Sequence, residues 1–261
     1  MLDKNKLRSI KMIVTDLDGT LLREDKSISD YTNKVLNECR MNGIKLAFAT
    51  GRGTAFRVAP ADLFDGRITN NGALARVGDV VIYNRLIPHS VARPLLMACE
   101  KQNIKIVSQV GGMHYSNFAI TDIWPWLTDF EIVDFAKHEK DAEKLYTTDL
   151  SLEKTEFIYS QLPQDLYCVV TYDPTGDMLQ IMHKEATKGH AALALGRFWN
   201  IMPSKIVTFG NDLNDIDLLT SVDFGVAVKN AHSEVLAAAK YTCASNEEDG
   251  LAHWLSENVL N

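Results

Sequence analysis

Cysteine is scarce and scattered: Cys39, Cys99, Cys168 and Cys243 are the four in 261 residues. None pairs at metal-ligand spacing, which excludes a zinc module or disulfide scaffold and fits reduced thiols in a cytosolic setting. Positive charge is in deficit, with 27 Lys and Arg against 34 Asp and Glu and a net charge of −7. A nucleic-acid binder would show a basic face, so that class is excluded. No apolar run is long enough to span a membrane, and the start Met-Leu-Asp-Lys-Asn-Lys has no signal core. Internal repeats and low-complexity tracts are also missing. What is present is a chain 46% hydrophobic, long enough for one large domain or two smaller ones. It is expected to be soluble and cytoplasmic, without a membrane partner.

The apolar run 12–14 stops at Asp16 and Asp18, and a polar stretch leads to Ser29. Asp30 opens a helix with Tyr31, Val35, Leu36 and Cys39 on one face, ended by Asn42-Gly43. Residues 44–49 read as a second buried strand closed by Thr50-Gly51-Arg52. A short helical segment runs to about Pro60, and 68–73 reads as a strand with a turn. This alternation predicts a parallel, doubly wound sheet.

The middle differs. It holds a short strand at 80–83, a helix starting near Pro94, and strand-like runs at 104–107, 156–159, 168–172 and 178–182. Asp173-Pro174-Thr175-Gly176 reads as a hairpin turn, so pairing here is antiparallel. From Thr187 the α/β rhythm returns: a helix bearing Ala191, Ala194, Leu195 and Phe198, a strand at 205–209, and the acidic turn 210–215. A helix through Ile216 and Leu219, a strand at 224–228, a helix from Ser233 and a last helix with Leu251, Trp254, Leu255 and Val259 complete the chain. The expected fold class is α/β, a Rossmann-like parallel-sheet core of 1–83 and 185–261 with an inserted α+β domain at 84–184.

In such a sheet the carboxyl ends of the parallel strands share one edge, so turns distant in sequence can converge there. Asp16 and Asp18 resist desolvation together unless a cation or a shared proton offsets them. The pair therefore points to a Mg²⁺-dependent phosphoryl site around Asp16, since phosphoryl transfer needs a nucleophile, a metal and fixed donors. Thr50 caps a helix, binds phosphate at its N-terminus, or does both. Lys188 sits at a helix start, where a cation opposes the macrodipole. Arg52 is a substrate contact or a surface ion pair. Gly111-Gly112 reads as a hairpin turn before His114 and Tyr115, which otherwise are candidates to reach a substrate. Trp124 and Trp126 form the densest aromatic spot, as core packing, a specificity wall or a partner surface. His183, His190 and His253 show no ligand spacing.

Taken in order, Asp16-Leu-Asp18-Gly19-Thr20-Leu, Thr50-Gly51-Arg52, Asn71-Gly-Ala, Lys188-Gly and Gly210-Asn211-Asp212-Leu-Asn214-Asp215 resemble the motif series of the haloacid dehalogenase superfamily. The insertion between Thr50 and Lys188 resembles that of its Cof-like phosphatases, which carry an α/β cap there. The stretches around Asn230 and Glu248-Asp249-Gly250 also resemble this family. The resemblance implies Mg²⁺-dependent hydrolysis of a small phosphorylated metabolite (a sugar phosphate, nucleotide or phosphorylated cofactor) by a monomer or weak homo-oligomer. It implies Asp16 as nucleophile through an aspartyl-phosphate and Asp18 as acid and base. Thr50, Gly51, Lys188 and Asn214 would hold phosphate, with Gly19, Thr20 and Asp215 supporting. Metal ligands would be Asp16, the Asp18 carbonyl, and either Asn211 or Asp212. The family pattern has Asp where this chain has Asn211, with Asp212 beside it. A phosphomutase using the same intermediate, or a weakened phosphate-binding protein, are the alternatives.

Overall fold

The computed structural model describes residues 7–53, 62–171 and 176–260. The expected helical segment reaching Pro60 and most of the turn at Asp173 lie outside the described residues. The chain divides into two compact units, one of them spanning Arg85–Ala186 and the other holding most of the chain on either side.

Strand β1 (Met12–Asp16) is buried throughout. Helix α1 (Asp30–Met41) is capped by Ser29, whose hydroxyl accepts from the Thr32 N–H at 2.9 Å. Its buried face is Thr32, Val35, Leu36 and Cys39. Tyr31, expected on that face, is exposed, because it lies one helical step away from the 32-35-36-39 stripe. Strands β2 (Lys45–Ala49), β3 (Gly66–Thr69), β4 (Leu74–Val77) and β5 (Val80–Asn84) follow. β1, β2 and β3 are parallel, and β3, β4 and β5 form an antiparallel run.

Within the Arg85–Ala186 unit, α2 (His89–Lys101) begins ahead of the expected start at Pro94, which sits inside the helix. The Asp141 carboxylate accepts from the His89 N–H at 2.8 Å, a cap supplied from far along the chain. β6 (Val107–Val110) and β7 (Met113–Ser116) form a hairpin whose turn residues Gly111 and Gly112 have φ of 60° and 93°; two successive positive φ values suit a tight hairpin. β8 (Phe130–Ile132) and β9 (Lys144–Thr147) precede α3 (Leu152–Gln161). The expected strand at 156–159 is therefore part of a helix, with Ile158 as its buried residue. β10 (Leu166–Thr171) and β11 (Met178–His183) pair antiparallel. The sheet runs β10-β11-β9-β6-β7-β8, with only β7 and β8 parallel. One face packs Leu145, Leu179 and Ile181 against Leu95, Leu96, Cys99 and Ile158. Trp124 joins Val107, Ile120 and Tyr146 in a second cluster, whereas Trp126 is exposed.

After Ala186 come α4 (Lys188–Phe198), β12 (Ile206–Gly210), α5 (Ile216–Thr220), β13 (Phe224–Val228), α6 (Ser233–Ala238), β14 (Tyr241–Cys243) and α7 (Gly250–Leu255). The first unit's sheet runs β14-β13-β12-β1-β2-β3-β4-β5, parallel from β14 to β3. Alternate residues feed two cores. Ile13, Leu46, Phe48, Val207 and Phe209 pack with α1 and α7, while Met12, Val14, Ala47, Ile68 and Ile206 pack with Ala191, Ala194, Leu195 and Leu218. Burial on both faces explains the continuous apolar runs of these strands. Phe198, expected on the inner face of α4, is exposed at the helix end. Among the described residues no helix is long and apolar enough to cross a membrane. All four cysteines are free thiols, and burial pushes the Cys39 and Cys99 thiols up to about 12.

One pH effect follows. His114 Nδ1 lies 2.7 Å from the Tyr146 hydroxyl, and burial, aided by Lys144, pushes the imidazole from 6.5 down to about 4. The unfolded chain then binds a proton that the folded chain refuses, so stability is lost as pH falls from about 6.5 to about 4. Replacing His114→Gln should remove on the order of 1 kcal/mol of that loss. Urea midpoints at the two ends of the range check this; equal acid losses in both proteins contradict it.

Candidate active site

The parallel register brings the polar turns together. Asp16 at the end of β1 lies opposite Ala49 of β2, so Thr50 begins one residue beyond it. On the other side Thr15 pairs with Phe209, which leaves Gly210 and then Asn211 leaving β12 beside Asp16. The edge of the sheet thus gathers residues from three segments without long loops.

At its centre is a buried ion triad. The Lys188 ammonium donates to Asp16 Oδ1 at 2.7 Å and to Asp215 Oδ1 at 2.6 Å. Asp16 is 5% exposed, Lys188 1% and Asp215 0%, so water screens none of these charges. Burial opposes the Lys188 ammonium, but Asp16 and Asp215 outweigh it and hold its pKa above the ordinary lysine range. Burial pushes the Asp16 carboxyl up to about 7, with Lys188 pulling it down and Asp215 and Asp18 adding to the rise. Lys188 is the first residue of α4, where a cation opposes the helix dipole, so the two carboxylates and not the helix hold the ammonium here. Asp217 Oδ2 accepts from the Gly189 N–H at 3.0 Å and fixes this helix start.

Asp215 holds the turn as well as the lysine. Its Oδ2 accepts from the backbone N–H groups of Asn211 and Asp212, each at 3.0 Å. Asn214 spans two segments: its Nδ2 donates to Asn71 Oδ1 at 3.0 Å, and its Oδ1 lies 3.4 Å from Lys188 Nζ. Asn71 in turn donates its N–H to the Thr50 carbonyl at 3.0 Å. Thr50 is buried, and its hydroxyl accepts from the Arg52 N–H at 3.1 Å. Gly51 lies so close to Asn71 that an added Cβ would come within 2.8 Å of Asn71 Oδ1.

Asn211 takes the position between the two acidic residues. Its side-chain amide lies 2.7 Å from Thr20 Oγ1, 2.9 Å from the Asp18 carbonyl and 3.2 Å from Asp16 Oδ2. Gly19, at φ 78°, must be glycine, since a Cβ would stand 2.7 Å from the Asn211 amide. Asp212, the other expected ligand, has its carboxylate engaged at the next turn. Its carboxylate accepts from the Leu213 N–H at 2.7 Å as a helix cap and lies 3.5 Å from His232. Asp16 Oδ2, the Asp18 carbonyl and the Asn211 amide oxygen together make an all-oxygen donor set of the kind that suits Mg²⁺. With the amide oxygen turned inward, three acceptors meet within 3.2 Å, and a small cation among them would relieve that crowding. The residues present therefore fit the metal.

The Asp18 carboxylate faces away from this set. It accepts from Arg52 Nε at 2.7 Å, from the Arg52 terminal nitrogen at 2.6 Å and from Lys26 at 2.8 Å. Burial works against its charge, but these hydrogen bonds keep its pKa below the usual carboxylate range. Arg52, read as a substrate contact or a surface ion pair, is therefore a partner of Asp18. Lys26 carries no signal in the sequence; Asn230, in a stretch that carries the family resemblance, donates its Nδ2 to the Gly19 carbonyl at 2.8 Å and steadies the acidic turn.

The fold defines the class: a doubly wound α/β core with a second unit inserted into the chain. The chain belongs to the haloacid dehalogenase-like hydrolases, whose family model matches residues 13–255. Within that family its branch is the Cof-like phosphatases. It is similar to a candidate phosphatase of Streptococcus pyogenes, 26% identical over 97% of this chain and 100% of that one. It is also similar to the 5-amino-6-(5-phospho-D-ribitylamino)uracil phosphatase YitU of Bacillus subtilis, 24% identical over 94% and 96%. Among solved structures, the subclass IIB sugar phosphatase BT4131 superimposes with a TM-score of 0.79 at 25% identity, covering 95% of this chain and 98% of that one.

Removing one partner of a buried ion group strands the others. Lys188→Met should cost about 3–5 kcal/mol, because Asp16 and Asp215 lose their counter-charge. Combining it with Asp215→Asn should recover part of the loss. Urea unfolding of the single and double variants checks this; a double variant no more stable than Lys188→Met contradicts the triad.

Proposed function

We propose that the protein hydrolyses a small phosphomonoester through an aspartyl-phosphate on Asp16, with Mg²⁺ held by Asp16, the Asp18 carbonyl and Asn211. The observation that carries this reading is the buried carboxylate of Asp16, held by Lys188 at the strand end and open on its other oxygen to the Asn211 group. When bound, Mg²⁺ supplies charge that offsets repulsion between the Asp16 carboxylate and the phosphoryl oxygens.

An Asp16 oxygen attacks phosphorus, and the bond from phosphorus to the ester oxygen breaks. Asp18 gives the departing oxygen a proton, so the alcohol leaves neutral. Water then attacks the phosphoryl group, Asp18 takes its proton, and the Asp16–phosphorus bond breaks to release inorganic phosphate. For both proton transfers Asp18 must leave the Arg52 and Lys26 pairs that hold it ionised. Lys188, the Thr50 hydroxyl and the Gly51 N–H hold the phosphoryl oxygens, with Asn214 keeping Lys188 in place.

The relatives support a substrate phosphorylated on a sugar-like carbon chain. YitU is named for a phosphoribitylamino compound and BT4131 for sugar phosphates, and each is a phosphate ester on a polyhydroxylated carbon chain.

Aryl-phosphate turnover with and without Mg²⁺ tests the reading. Turnover should require the metal, and Asp16→Asn should lower it on the order of a thousandfold or more. Asp18→Asn should slow phosphorylation of Asp16 by alkyl esters about 10²–10⁴-fold and by aryl esters less, because a phenolate leaves without a proton, while hydrolysis of the intermediate slows equally for both. Metal-independent turnover that survives Asp16→Asn contradicts the proposal.

A further inference from the structure

Position 211 carries a neutral amide at the point where Asp16 Oδ2 and the Asp18 carbonyl converge. An amide has two faces, and each suits a different neighbour. With its nitrogen inward, Asn211 donates to Thr20 Oγ1 at 2.7 Å, to the Asp18 carbonyl at 2.9 Å and to Asp16 Oδ2 at 3.2 Å. The amide carries two hydrogens, so these three acceptors share two N–H donors supplied by the protein itself. With its oxygen inward, Asn211 accepts from the Thr20 hydroxyl at 2.7 Å but confronts two further oxygens, an arrangement that requires a cation. Thr20 serves both orientations because a hydroxyl donates or accepts. The two orientations differ by a half-turn of a terminal torsion whose energy profile is broad and roughly two-fold.

A carboxylate at this position could not do this. It would place acceptors against Asp16 Oδ2 in every orientation, and its repulsion would be relieved only by metal or a proton. The charge balance differs too. The Asp16 carboxylate is the only formal charge in the donor set, and its other oxygen is already paired with Lys188. Two positive charges on a metal would thus meet at most one negative charge from these residues.

We infer that Asn211 is a reversible stand-in for the metal, its amide nitrogen bridging Asp16 and Asp18 until Mg²⁺ and a phosphoryl dianion bind together and turn the amide oxygen inward. The inference rests on the proposed phosphoryl site and goes beyond it by specifying how the site is loaded. The dianion supplies the negative charge that Asn211 lacks, so metal and phosphate strengthen each other's binding. By linkage each raises the other's affinity by the same factor. The chain without metal is held together by hydrogen bonds at this point, rather than strained by facing carboxylates.

Calorimetric titration of the full chain with Mg²⁺, with and without saturating inorganic phosphate, tests this without any turnover. Phosphate should tighten Mg²⁺ about tenfold or more, and Mg²⁺ should tighten phosphate by the same factor. In Asn211→Asp, Mg²⁺ alone should bind about tenfold tighter than to the wild type, since one charge is restored, and the coupling factor should shrink. Melting in EDTA gives a second readout: Asn211→Asp should melt below the wild type, and Mg²⁺ alone should raise its Tm more than the wild type's. A wild-type Mg²⁺ affinity that phosphate leaves unchanged overturns the inference while leaving the phosphoryl site standing; so does an Asn211→Asp protein that binds Mg²⁺ alone no better. Failure of both proteins to bind Mg²⁺ or phosphate in any combination overturns the site itself. Should Asn211→Asp fail to fold, the wild-type titrations with and without phosphate decide alone.

Discussion

The Lys188 ammonium between Asp16 and Asp215 is the interaction on which the rest of the site depends. Each carboxylate is buried where an isolated charge would be costly, and one lysine serves both. The pair to Asp16 joins residues 172 apart in sequence, so closing it requires β1, β12 and α4 to be in register. The geometry in turn gives each Asp16 oxygen a separate neighbour. Oδ1 belongs to the lysine, and Oδ2 is left to the Asn211 group.

Around that triad the turns are tied to one another by short polar links. Asp215 gathers the N–H groups of Asn211 and Asp212, Asn214 reaches Asn71, Asn71 holds Thr50, and Asn230 holds Gly19. Asparagine suits this work because one side chain carries a donor and an acceptor in a rigid plane. A network of this kind positions groups closely, and it fails as a unit when one member is removed.

Much of the core could be read from sequence for a physical reason. β1, β2, β12 and β13 are covered on both faces, so their apolar runs are unbroken and end sharply at the polar turns. The inserted unit gave weaker signals. Lys144 is a charged residue on a buried strand, and β7 and β8 are too short to show a period. The segment 156–159 carries strand-forming residues inside a helix whose buried side is almost only Ile158. The site followed the same division. Asp16, Lys188 and Asp215 stand where the motif order implies, because the strand ends fix them. Which of Asn211 and Asp212 has its side chain beside Asp16 depends on backbone direction within one turn, which residue order alone does not contain. Arg52 likewise reads equally well as a substrate contact or an ion pair until its partner, Asp18, is located.

The central claim is that Asp16 takes the phosphoryl group covalently. Quenching the enzyme during turnover and reducing it with borohydride converts an aspartyl-phosphate to homoserine, which peptide mass spectrometry locates. The account predicts homoserine at position 16, only when substrate is present. Substrate turnover with position 16 recovered solely as aspartate, and the reduced residue absent or elsewhere, would contradict it.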